Sequence, residues 1–141
     1  MATEYGKESR IHVGDGETVE DFLPIAGEQS WDYSASSSEQ DESSKDDADI
    51  AAMSYGPRKI TISANGITKL PDDGLERVLE ISKSTTRKGM VKLMKGAIVR
   101  FHGQVGVGNV KMTGSKDGPV TWSFDMVACA TPIVDNLAAS A

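Results

Sequence analysis

Apolar and polar residues alternate along much of the chain, and a period of two is typical of strands with one buried face. Three runs follow this pattern most clearly, at residues 30–36, 59–66 and 120–126. Their predicted inward sets are Trp31, Tyr33 and Ala35; Ile60, Ile62 and Ala64; and Val120, Trp122, Phe124 and Met126. The run at 59–66 ends on Asn-Gly, a common turn signal. The pattern predicts a mainly β protein.

Two further stretches are predicted to be β structure with an interruption. Residues 10–26 indicate a hairpin closed by a tight turn at Asp15-Gly16. Residues 97–107 alternate, but the next apolar residues, Val110 and Met112, fall out of phase. One inserted residue resets a period of two, so we expect a bulge near 106–108. The predicted inward residues of this strand are Val99, Phe101, Gly103, Val105 and Val107.

A single amphipathic helix is predicted over residues 73–87. Acidic residues follow Pro71, and Asp73 with Glu76 three positions later resembles a capping box. The apolar stripe consists of Leu75, Val78, Leu79 and Ser82, with Ile81 beside it. Basic residues and Gly89 supply a plausible end.

Length and charge narrow the class of protein. A chain of 141 residues is expected to form one domain, here 1–141 with flexible termini at 1–8 and 133–141. The N-terminus is too polar for a secretory signal, and no apolar run is long enough for a membrane span. The net charge of −6 argues against a protein that grips nucleic-acid phosphates. Residues 1–50 hold 14 acidic and 3 basic residues, whereas 51–141 hold 7 and 12, so opposite charges can attract between copies.

The most acidic segment lies at residues 36–49 and contains no large apolar side chain. Such a segment cannot offset the entropy lost on ordering, so we expect a mobile loop in the isolated subunit. It lacks the glycine and the final glutamate of a calcium loop. Two interpretations remain open: a solvated acidic loop, or an arm that orders against a neighbouring molecule.

Residues that could carry chemistry do not form a recognisable set. His12 and His102 have no metal-ligand spacing, and Cys129 lacks a nearby histidine for a nucleophile. Residues 114–118 resemble a phosphate loop only superficially, because the lysine leads into a turn instead of a helix. We therefore expect no enzyme activity, no cofactor and no metal.

The order of elements, together with three local sequences, is similar to the major tail proteins of long, non-contractile-tailed bacteriophages. The segment 27–33 (GEQSWDY), followed by a polar loop, resembles the second strand and its connection in that family. Residues 72–76 (DDGLE) resemble its helix start, and residues 110–124 (VKMTGSKDGPVTWSF) resemble its closing hairpin. The likeness covers about residues 8–130.

The resemblance implies an antiparallel β-sandwich or barrel-like subunit with a flanking helix. It implies hexameric rings that stack into a hollow tail tube around a tape-measure protein and later conduct DNA without binding it specifically. Tail initiator and terminator proteins are the other implied partners. The implied location is the virion tail, after synthesis and assembly in the host cytoplasm, without a membrane.

Within that interpretation, residues 36–56 are expected to form an arm that reaches a neighbouring subunit or ring. The predicted contact residues are Glu39, Asp41, Glu42, Lys45, Asp46, Asp47, Asp49, Met53 and Tyr55. Two alternatives accompany it: a type VI secretion-like tube protein, and a monomeric carbohydrate-binding β-sandwich. The latter would use Trp31, Tyr33 or Trp122 as an exposed stacking platform, so aromatic exposure distinguishes it.

Overall fold

The computed structural model describes residues 3–16, 21–43, 45 and 53–139. Within these ranges it contains ten strands, one α-helix and a short 3₁₀ helix, Gly6–Glu8. The strands are β1 (Ser9–Gly14), β2 (Phe22–Pro24), β3 (Glu28–Ser36), β4 (Glu39–Asp41), β5 (Met53–Tyr55), β6 (Lys59–Ile67), β7 (Lys88–Lys95), β8 (Ile98–Thr113), β9 (Thr121–Ala128) and β10 (Val134–Asp135). The helix is α1 (Asp73–Lys83). The predicted mainly β class with one flanking helix is confirmed.

Eight of these strands form one antiparallel sheet in the order β2-β1-β7-β8-β9-β6-β3, with β10 paired to β8. The long strand β8 pairs with β7 through its first part and with β9 through its last part. It therefore belongs to both halves of the sheet. The sheet curves over itself, since the ring of Tyr33 on the end strand β3 lies 6.0 Å from that of Phe101 on β8. The result is sandwich-like and is not a closed barrel.

The core lies between the two halves of the curved sheet and is closed by α1. Five strands lie between the two end strands of the sheet: β1, β7, β8, β9 and β6. Each contributes alternate residues to the core, because one face of each strand is buried. The largest fully buried side chains include Trp122, Phe101 and Phe124. Trp122 stacks on Phe124 with ring centroids 5.5 Å apart, and its indole Nε1 donates to the carbonyl of Ile67 at 3.0 Å. The indole N–H of Trp122 is therefore hydrogen-bonded although its ring is buried in the core.

The helix begins where the sequence indicates and ends earlier. Asp72, one residue before the predicted cap Asp73, accepts a hydrogen bond from Leu75 N at 3.0 Å. The helix stops at Lys83, not at 87. Gly89, taken as a helix end, lies in β7, where a Cβ would approach Ile81 Cδ1 to 2.4 Å. The glycine therefore reflects close packing of the helix on the sheet.

The buried stripe of α1 also differs in detail from its prediction. Gly74, Leu75, Val78 and Ile81 are buried, whereas Leu79 and Ser82 are only half-buried. Ile81 is thus central to the stripe instead of lying beside it.

The predicted bulge in β8 exists, two residues later than expected. The register with β9 shifts between Gly108 and Lys111, and Asn109 takes a positive φ of 53°. Asparagine tolerates this left-handed conformation better than most residues. A second shift between Leu93 and Met94 on β7 lies opposite Arg100, which the sequence did not indicate.

Four smaller predictions are wrong. Gly14 pairs with Phe22 in the first hairpin, so a seven-residue connection replaces the tight turn. Strand β6 runs through Asn65-Gly66 to Ile67, with no turn there. Val120 precedes β9 and is exposed, and Ala35 is exposed as well, because both lie at an end of their alternating run, next to a connection.

The C-terminal segment, which was expected to be flexible over residues 133–141, lies along β8 in its described part. Val134 pairs with His102, and the backbone N–H of Asn136 donates to the carbonyl of Arg100 at 2.8 Å. Arg100, which is 5% exposed, donates in turn to the carbonyl of Ala139.

Candidate assembly surfaces

Four of the nine predicted contact residues, Glu39, Asp41, Met53 and Tyr55, lie on a two-stranded antiparallel ribbon formed by β4 and β5, separate from the main sheet. The segment 36–49 was expected to be irregular, and the strand Glu39–Asp41 corrects that expectation. The residues Asp46, Asp47 and Asp49 lie outside the described residues. Glu42 and Lys45 lie in the connection between the two strands and are exposed.

The register of the ribbon places four predicted residues on one face. Glu39 pairs with Tyr55 and Asp41 pairs with Met53. Directly paired residues share a face, and so do residues two apart on one strand. We call these four side chains the ribbon face; Gln40 and Ser54 lie on the other side.

The ribbon face is apolar and acidic at the same time. Tyr55 is 70% exposed and Met53 is 50% exposed. Asp41 accepts a hydrogen bond from Ser43 N at 2.8 Å, and this bond lowers the pKa of the Asp41 carboxyl. Two large apolar side chains are thus held in water beside two carboxylates.

The base of the ribbon is fixed to the body of the subunit. Arg58, just after the ribbon, forms an ion pair with Asp135 at 3.2 Å and donates to the Tyr33 hydroxyl at 3.3 Å. The Tyr33 hydroxyl donates to Asp135 at 2.8 Å. Burial, with the hydrogen bond to Asp135, raises the pKa of Tyr33. The alternating pattern of β3 predicted a half-buried Tyr33, but it carried no signal for its partner 102 residues away.

The strands at the ends of the sheet are unequal. Within the described residues, β2 and β3 each have a neighbour on one side only. β2 has three residues and contains Pro24, whereas β3 has nine residues. A long unpaired strand edge is a template for pairing with another chain.

The two histidines share a row that crosses the outer face of the sheet. His12 and His102 each pair with Lys92, which lies between them. The Lys92 ammonium lies 4.1 Å from the centre of the Phe22 ring. Burial is the main cause that lowers the pKa of His12, and the charges of Arg10 and Lys92 add to it. An ammonium between two imidazoles disfavours a metal cation at this place.

The three aromatic residues considered for a sugar-binding platform are buried or half-buried. Trp122 is 2% exposed. Trp31 and Tyr33 are half-buried and pack against the core. Because stacking on a sugar requires an exposed ring face, burial removes the observation that would have favoured the carbohydrate-binding alternative.

One known protein family matches this chain over most of its length. The family model of the phage tail tube protein matches residues 4–129, which is most of the chain. The chain belongs to the phage tail tube protein family. This tail tube protein is therefore a structural protein of a phage or phage-like tail, as the resemblance implied. The expected relation to type VI secretion tube proteins stays a prediction.

Solved structures share the fold of this tail tube protein. A chain in the tail of an empty gene transfer agent particle, computed with helical refinement and C6 symmetry, matches with a TM-score of 0.79 and 19% identity. A chain of the native gene transfer agent virion matches with a TM-score of 0.78 and 19% identity. Each match covers 92% of this chain and 97% of the other. No curated protein sequence matches significantly.

The structure contains no other feature that changes this assignment. No group of three or more histidine, cysteine or acidic side chains in the described ranges could hold a metal ion. Within the same ranges, no helix is both long and apolar enough to cross a membrane.

Proposed function

We propose that this protein is the wall subunit of a tail tube, in which six copies form a ring and rings stack into a hollow tube. The family match over residues 4–129 carries the proposal. The C6 symmetry of the gene transfer agent tail that shares the fold supports the number of copies. Head-to-tail contacts between copies generate closed rings when the rotation closes.

The geometry of the subunit suits such an assembly. The free edge of β3 and the exposed ribbon face are both costly in an isolated molecule. A ring that pairs sheet edges between neighbours removes the first cost, and a docked ribbon removes the second. A two-stranded ribbon alone is only marginally stable in water, so a neighbouring copy would also stabilise it.

The same proposal predicts which other molecules contact the tube. A tape-measure protein would occupy the lumen during assembly, and initiator and terminator proteins would cap the two ends. DNA would pass through the lumen without specific binding. The net charge of −6 supports weak retention of a polyanion, since phosphate binding depends on clustered lysine and arginine.

Removal of the ribbon tests the proposed arm. Ser38 O accepts a hydrogen bond from Gly56 N at 2.7 Å, so these two residues lie close together. An Asn-Gly turn in place of residues 39–55 can therefore connect β3 to β6 directly. We expect a folded monomer, checked by circular dichroism, that forms no tubes by negative-stain electron microscopy under conditions in which the intact protein does.

A milder pair of variants controls for damage to the fold. Met53→Ser combined with Tyr55→Ser alters the ribbon face, and we expect it to block tube formation. Gln40→Ser, on the opposite side of the same ribbon, is expected to leave it unchanged. Tubes of normal length from the shortened protein would contradict the arm. Failure of the intact protein to assemble at any concentration would contradict the tube.

A further inference from the structure

A cleft of about 440 Å³ lies at the end of the molecule opposite the ribbon. It is lined by the N-terminal segment, the start of β3 and Lys69, two residues after the end of β6. Three basic side chains, Lys7, Arg10 and Lys69, line it together with Trp31. These residues are far apart in the chain, so only the folded structure brings them to one surface. We call this surface the basic cleft.

Two polar atoms of the cleft have no hydrogen-bond partner among the described residues: Ser9 Oγ and Glu28 Oε1. Ser9 is 4% exposed, and the other oxygen of Glu28 accepts from Ile11 N at 3.1 Å. Buried polar atoms in native proteins nearly always have partners. Both atoms have almost no exposed surface, so they lie beneath the cleft and not on its open wall.

The ribbon face complements the basic cleft in charge and in chemical type. Its carboxylates, Glu39 and Asp41, are the counterpart of the cleft lysines, and its apolar side chains suit the half-buried Trp31. Tyrosine is enriched among residues that dominate interfaces, and a buried tyrosine hydroxyl seeks a hydrogen-bond partner.

Geometry decides that the ribbon and the cleft belong to different copies. The cleft lies at the start of β3 and the ribbon follows its end, eight residues later. At the rise of a strand this separation is roughly 26 Å. A ribbon fixed at its base by Arg58 extends from the far end of the same molecule. Only a second copy, stacked head to tail, can bring a ribbon to the cleft.

We propose that the basic cleft receives the ribbon face of a second copy of this chain, with the rings stacked along the direction of β3. This inference rests on the proposed tube and identifies the surface that joins its rings. The contact is heterologous and does not close on itself along the axis, so it adds copies without limit, as a tube requires.

Charge reversal tests the proposal. We expect Lys7→Glu combined with Lys69→Glu to raise the protein concentration needed for tube formation roughly tenfold or more, because attraction becomes repulsion. Glu39→Lys combined with Asp41→Lys is expected to do the same. A chain that carries all four changes restores the opposite pairing and is expected to form tubes again. Lys83→Glu, an exposed lysine outside both surfaces, serves as the matched control.

The outcomes of this experiment distinguish a failure of the cleft inference from a failure of the proposed tube function. If the cleft variant forms tubes as readily as the intact protein, the inference is wrong and the proposed function stands. If Lys83→Glu blocks assembly equally, or if the four changes together do not restore it, the assignment to the cleft is also wrong. If the intact protein forms no tubes, the proposed function itself fails.

Cross-linking provides a second readout for variants that fold poorly. Cys129 is exposed, so Cys129→Ser supplies a background without thiols. In that background, Tyr55→Cys with Lys69→Cys is expected to give a ladder of disulfide-linked multimers after mild oxidation of tubes. Tyr55→Cys with Lys83→Cys is expected to give none. A ladder from the control pair alone would overturn the proposal.

Discussion

Glu28 lies in an environment that disfavours its charged form. Its carboxyl is largely buried, and this burial raises its pKa to about 7, against a small opposing effect of the Ile11 N–H. A carboxyl with a raised pKa binds its proton more tightly in the folded than in the unfolded protein. Its contribution to stability is therefore present below pH 4.5 and is lost as the pH rises to about 7.

Glu28→Gln removes this dependence. At pH 4.5 the variant and the intact protein are expected to have similar free energies of unfolding. At pH 7.5 the variant is expected to be more stable by up to about 3 kcal/mol, because a neutral amide avoids the burial of charge. Urea unfolding of the monomer at both pH values measures the difference. Glu42→Gln, at an exposed position, is the control, and equal pH profiles for all three proteins would contradict the burial argument.

At the scale of elements, a buried carboxylate helps to position α1. Asp72 is 2% exposed and its Oδ1 accepts from Leu75 N at 3.0 Å and from Ala26 N at 3.2 Å. One side chain thus caps the helix and joins it to the segment before β3. Arg77 adds a second link, since its Nε donates to the carbonyl of Gly14 at 2.7 Å.

Asp72→Ala is expected to lower the free energy of unfolding by about 1–2 kcal/mol, the usual cost of a lost N-cap. Asp72→Asn keeps an accepting oxygen and is expected to lose less. Asp73→Ala, at the neighbouring position that the sequence favoured as the cap, is the matched control. Chemical unfolding measures all three variants. A larger loss with Asp73→Ala would contradict the assignment of the cap.

Strands with strict alternation were predictable, and those without it were not. β6 and β9 follow the expected inward sets, except at Val120, because one face of each meets the core. β7 was not predicted, since Val91, Leu93 and Met94 do not alternate simply with the lysines around them. The arm at residues 36–56 stays a prediction, and the pairing of β4 with β5 was not predicted because it joins residues 12 to 16 positions apart.

For the whole molecule, the two chain ends meet on β8. Arg100 forms an ion pair with Glu4 at 2.5 Å and donates to the carbonyl of Ala139. Lys95 also pairs with Glu4, at 3.2 Å. The hydrogen bonds to Arg100 and then Lys95 lower the pKa of Glu4 to about 2.

This network predicts a loss of stability in acid. A depressed carboxyl pKa contributes stability above the ordinary value of 4.5, and the contribution disappears as the pH falls towards 2. The intact protein is therefore expected to unfold at a higher temperature than Glu4→Gln at pH 6, and at the same temperature near pH 2. Thermal unfolding from pH 6 to pH 2 tests this. A constant difference over that range would show that Glu4 acts through packing alone.

The sequence by itself determined the class of fold, the inward faces of the regular strands, the start of the helix and the position of the acidic segment. Each of these follows from neighbours in the chain, through a period of two, a cap or a run of charges. The tertiary structure alone decided the ribbon face, the anchoring of Arg58 and the basic cleft. Lys7, Trp31 and Lys69 carry no common pattern in sequence, and only the curvature of the sheet brings them to one surface.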